Sequence, residues 1–90
     1  MHKIIYKYRI KETDEQTLIL PEGAKVLTVQ VQNDVPNLWI LVEPNAPPKV
    51  RYFRLIGTGQ PINLGSNTKY IGSFQLYEGA LVFHLFEIIK

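Results

Sequence analysis

The sequence predicts a single all-β domain, an antiparallel β-sandwich or small barrel of about seven strands. Three observations carry that expectation. Apolar residues recur with a period of two along most of the chain, and the 3.6-residue spacing of an amphipathic helix is almost absent. Clusters of Gly, Pro, Asn and Asp interrupt the alternation about every ten residues.

From Lys3 to Lys11, Ile4, Tyr6, Tyr8 and Ile10 alternate with Ile5 and four cations, which predicts a strand with one apolar and one basic face. Glu12 to Gln16 reads as a polar connection with room for one helical turn. Thr17 to Leu20 is a short second strand, stopped by the turn residues Pro21-Glu22-Gly23. The third runs from Lys25 to Gln32, with Leu27, Val29 and Val31 assigned to one face and Val26, Thr28, Gln30 and Gln32 to the other. Asn33-Asp34-Val35-Pro36 is a hairpin connection.

The fourth strand, Leu38 to Glu43, is apolar on both faces, because Trp39 and Leu41 oppose Leu38, Ile40 and Val42. After the stiff Pro44-Asn45-Ala46-Pro47-Pro48 loop, the fifth strand, Val50 to Ile56, sets Arg51, Phe53 and Leu55 against Tyr52, Arg54 and Ile56. An irregular stretch through Asn67 leads to the sixth strand, Thr68 to Tyr77, where Gly72 marks a bulge or a close backbone approach. Glu78-Gly79 is the next turn, and Ala80 to Ile89 the last and most apolar strand. The surplus apolar surface of the fourth and seventh strands predicts a homo-oligomer.

Composition narrows the function. Hydrophobic residues make up 46% of the chain, enough for a core. With no cysteine there is neither a disulfide framework nor a Cys-based zinc site. No apolar run approaches the roughly 18 residues of a membrane-spanning helix. The start of the chain, Met1-His2-Lys3-Ile4-Ile5-Tyr6-Lys7, lacks the pattern of a signal peptide, so the expectation is a cytoplasmic protein without membrane contact. A net charge of +2 is too small to argue for duplex nucleic acid, although Lys3, Lys7, Arg9 and Lys11 crowd the first eleven residues and Glu12, Asp14 and Glu15 follow at once.

Catalytic groups are scarce. His84 lies inside Leu81-Val82-Phe83-His84-Leu85-Phe86, where a hydrogen-bonded core or interface histidine is expected. No H-x-H or H-E-x-x-H spacing supports a metal, and no cofactor is expected. Gly57-Thr58-Gly59 opens like a phosphate loop but is followed by no helix, so a left-handed turn is the expectation. The strongest binding set is cationic and aromatic. Arg51 and Arg54 offer forks for phosphate, Tyr52 or Trp39 a face for stacking, Thr58 and Gln60 polar contacts, and Lys69 a further charge.

The segments Thr13-Asp14-Glu15-Gln16-Thr17, Pro21-Glu22-Gly23-Ala24, Val29-Gln30-Val31-Gln32-Asn33, Phe53-Arg54-Leu55-Ile56-Gly57-Thr58-Gly59-Gln60-Pro61-Ile62 and Tyr70-Ile71-Gly72-Ser73-Phe74-Gln75-Leu76 together resemble a family of short, functionally uncharacterised tailed-bacteriophage proteins. The resemblance covers nearly the whole chain, and many members carry His where this chain has Gln60. It implies a phage accessory protein in the host cytoplasm, without catalytic residues to carry over. By analogy with oligomeric phage proteins that sequester nucleotide immune signals, it points to a non-enzymatic anti-defence protein binding a small phosphorylated ligand. The alternative is a protein–protein interaction module, a host-enzyme inhibitor or minor structural component.

Overall fold

The computed structural model describes residues 2–90; Met1, the first residue of the run weighed as a signal peptide, lies outside them. Seven antiparallel strands form two sheets: β1 (Ile4–Arg9), β2 (Glu15–Pro21), β3 (Lys25–Gln32), β4 (Val35–Val42), β5 (Pro48–Gly57), β6 (Thr68–Leu76) and β7 (Leu81–Ile88). A three-stranded sheet has the order β1-β4-β3, and a four-stranded sheet the order β2-β5-β7-β6. The fold is a sandwich rather than a closed barrel. Among the described residues there is no helix, hence none long and apolar enough to cross a membrane.

The core lies between the sheets. Leu38, Ile40 and Val42 from β4 meet Phe53 and Leu55 from β5, Phe74 and Leu76 from β6, and Leu85 from β7, with Ile10 and Leu20 closing the ends. The alternation of β5 is as the sequence predicts, since Phe53 and Leu55 point inward. β4 and β7 each lie between two neighbours, so central position accounts for much of their apolar content.

Local chemistry explains where the boundaries move. The β3–β4 turn is only Asn33-Asp34, both with positive φ (52° and 64°), and Gln32 pairs with Val35 across it. That is a type I′ hairpin, whose twist matches the flanking strands and lets β4 start at Val35. The expected facing of β3 is corrected at its start. The register shifts between Val26 and Thr28, so Val26 packs on the core while Leu27 turns out to solvent. Gly72 is both things the sequence allowed. It follows a register shift in β6, and a Cβ there would sit 3.2 Å from Val29 Cγ1, where β6 crosses β3.

Two connections differ from expectation. Glu12 to Gln16 forms no helical turn. The Gln16 side chain instead accepts from Lys11 N (2.9 Å) and donates to Lys11 O (2.8 Å), tying the bend to the start of β2. The β6–β7 connection is longer than Glu78-Gly79, because Tyr77, Glu78 and Gly79 all have positive φ and Leu76 pairs with Leu81.

Candidate functional site

The outward face of the four-stranded sheet is built by Tyr52, Arg54 and Ile56 of β5 beside Ile88, Phe86 and His84 of β7. The connection between β5 and β6 folds back over it. Thr58 N donates to Val82 O (2.9 Å) at one end and Ile89 N to Asn67 O (2.8 Å) at the other. Gly59 takes the left-handed conformation (φ 88°) that the Gly-Thr-Gly sequence predicts. Ile56 is buried although it lies outside the cluster between the sheets.

His84 fixes this loop from below. Its Nε2 lies 2.8 Å from Thr58 Oγ1 and its Nδ1 2.9 Å from the Tyr70 hydroxyl. In either neutral tautomer one ring nitrogen donates and the other accepts, so both hydroxyls and both nitrogens are satisfied. A Thr–His contact of this length resembles a nucleophile and its base, but the second nitrogen meets a phenol rather than a carboxylate. The trio therefore reads as a clamp joining the loop, β6 and β7: His84 is hydrogen-bonded as the sequence predicts, but it is half-buried on the outward face and not in the core.

Beside the clamp, the loop and sheet enclose a cleft of about 460 Å³, within the roughly 300–1,000 Å³ typical of small-molecule sites. Asn63, Leu64 and Gly65 form one wall, and Tyr52, Arg54 and Ile88 the floor. Lys90 reaches in from the end of β7, its Nζ 4.2 Å from the Tyr52 ring centroid. Glu15 and Thr17 of the edge strand complete it, Glu15 being the cross-strand partner of Arg54. The Arg54 Nε is buried and has no hydrogen-bond partner. A donor out of water without an acceptor is costly, which marks this atom as unfinished within the chain itself.

Arg51 leaves the opposite side of β5. Its guanidinium grips Glu87 with two nitrogens, Nε to Oε2 and Nη2 to Oε1 (2.9 Å), and Nη1 donates to Ala24 O (2.8 Å). The hydrogen bond to Glu87 holds the Arg51 pKa above its ordinary value, against the opposing effect of burial. This is a partly buried structural ion pair, unsuited to a ligand phosphate.

A domain of unknown function (DUF7352) matches the chain over residues 1–90. The chain belongs to that family. No curated protein and no solved structure matches it.

In this DUF7352 domain, two of the seven residues predicted as a binding set share the cleft, Tyr52 and Arg54. The others lie elsewhere. Arg51 is committed to Glu87. Trp39 projects from the other sheet, where Lys7 and Thr28 flank it. Thr58 is held by His84, and the Gln60 side chain folds back so that Oε1 accepts from Gly57 N (2.8 Å). Lys69 pairs across the strands with Glu87, at the rim near Arg51. The Gly57, Thr58 and Gln60 amides are also engaged within the chain. Among the described residues no cluster of His, Asp or Glu is arranged to hold a metal ion. Asn63, Leu64, Gly65 and Lys90 escaped the sequence reading, since a loop folded over a sheet face leaves no periodic trace.

Proposed function

We propose that this domain is a non-enzymatic binding protein that holds a small phosphorylated ligand in the Tyr52–Arg54–Lys90 cleft. The observation that carries this is the buried Arg54 Nε without an acceptor, beside a second cation and an aromatic face. Once the Arg54 side chain shifts to open Nε, a phosphate oxygen would satisfy it, Lys90 would add charge, and Tyr52 would stack a base or ring as Lys90 swings to the anion. Glu15, opposite Arg54, would favour ligands with a hydrogen-bond donor to meet it. The likeness to tailed-phage proteins supports a nucleotide immune signal as the ligand, with sequestration as the outcome.

Calorimetry against cyclic and ADP-ribose-type nucleotides tests this reading. Heat of binding is expected for at least one member of the panel, with affinity falling about tenfold or more in Arg54→Gln, the loss of one charge-assisted pair. Absence of heat with every member from the folded parent protein overturns it.

A further inference from the structure

The run of cations at the start of the chain has no part in that cleft. It lies on β1, which pairs with β4 alone and forms a free edge of the three-stranded sheet. The edge is not blunted by burial: Ile4, Ile5 and Tyr6 are 41%, 57% and 42% exposed. Lys7 and Arg9 stand opposite Trp39 and Asn37 on the outward face, while Tyr8 packs toward the core.

The sandwich is unequal. Three strands face four, and β3 packs on β6. Past the end of β1, its connection to β2 borders a groove of about 370 Å³, lined by Arg9, Lys11 and the acid Glu15 as well as Gln16, Thr17 and Leu18. A strand laid along β1 would pair with its open backbone groups, cover Ile4 and Tyr6, and give the three-stranded sheet a fourth strand.

We infer that this edge receives an extended, acidic segment of a partner protein by strand addition. Charge decides the occupant. In a second copy β1 would set Lys7 against itself, or Arg9 against Lys3 when Lys7 meets Ile5, and like charges directly opposite are destabilising. An alternating acidic and apolar strand fits both faces, carboxylates toward Lys7 and Arg9 and apolar residues toward Ile4 and Tyr6. The acids Glu12, Asp14 and Glu15, just past Lys11, limit the register, because an acidic strand running beyond Arg9 meets repulsion. Lys7 Nζ now donates to Gln32 Oε1 (2.9 Å), an exposed bond that exchanges readily.

The probe is a capped, fluorescent peptide as long as β1, alternating glutamate and valine, read by polarisation and by Trp39, the single tryptophan. Binding is expected, weakened about tenfold in Lys7→Glu/Arg9→Glu and less in Lys7→Gln/Arg9→Gln. Arg54→Gln leaves it unchanged, which separates this edge from the cleft. With the parent protein, N-methylating one alternate set of peptide amides abolishes binding and methylating the other set does not, the signature of main-chain pairing. No binding, equal binding of both methylated peptides, or tighter binding of an oligothymidylate at the same residues overturns the inference.

Discussion

Glu87 is 4% exposed, and the cation that grips it is Arg51, thirty-six residues away. Removing one partner of such a pair leaves the other charge out of water, so Glu87→Leu or Arg51→Met is expected to lower stability by about 3 kcal/mol. Arg51→Met/Glu87→Leu should recover most of that loss in denaturant unfolding; a double variant as unstable as the sum of the singles would refute a coupled pair. A second residue gives a pH signature. Burial first, and Tyr6 second, raise the Tyr8 pKa above its ordinary 10.0. The unfolded chain then releases the phenol proton before the folded one. Stability from this group is intact below pH 10.0 and falls as pH rises through the folded value. Tyr8→Phe should flatten that alkaline decline in thermal scans. At this scale the sequence was half legible. The alternation of β5 already separated Arg51 from Arg54 onto opposite faces, but nothing local announced Glu87 as the partner.

Elements were legible wherever alternation ran unbroken and lost phase where a residue was inserted. All seven strands were expected; β3 was misfaced at Val26 because its bulge carries Leu27 rather than a glycine to mark it. In β6, Gly72 did mark the irregularity, and its missing Cβ has a stated neighbour. Gly72→Ala would press on Val29 Cγ1 and should cost about 1–2 kcal/mol, with part of that cost relieved in a Val29→Ala background. Additive losses in that cycle would show that the close approach is not what requires glycine. The Asn33-Asp34 turn offers the converse. Asp34 holds φ 64° at a position where type I′ turns prefer glycine. Asp34→Gly should therefore raise stability by about 0.5–1 kcal/mol, read as a higher denaturant midpoint with an unchanged slope.

At the scale of the whole molecule, a three-strand sheet on a four-strand sheet exposes two unpaired edges along one flank, and charge decides what they meet. β1 carries Ile4, Ile5 and Tyr6 in the open, a composition that favours edge-to-edge association, yet Lys7 and Arg9 sit at its centre and end. Two β1 strands related by a twofold axis can match Ile5 to Lys7 or Lys7 to itself, and each register also brings further cations together. Neutralising both positions removes the repulsion while keeping the strand, since threonine favours the extended backbone. Lys7→Thr/Arg9→Thr should dimerise through β1, giving a concentration-dependent mass in sedimentation equilibrium and a Tm that rises with protein concentration. Adding Ile5→Glu should reverse both. If the neutral variant keeps the parent's mass across the same concentrations, the charges of β1 are not what govern pairing at this edge, and the preference for an acidic strand loses its basis.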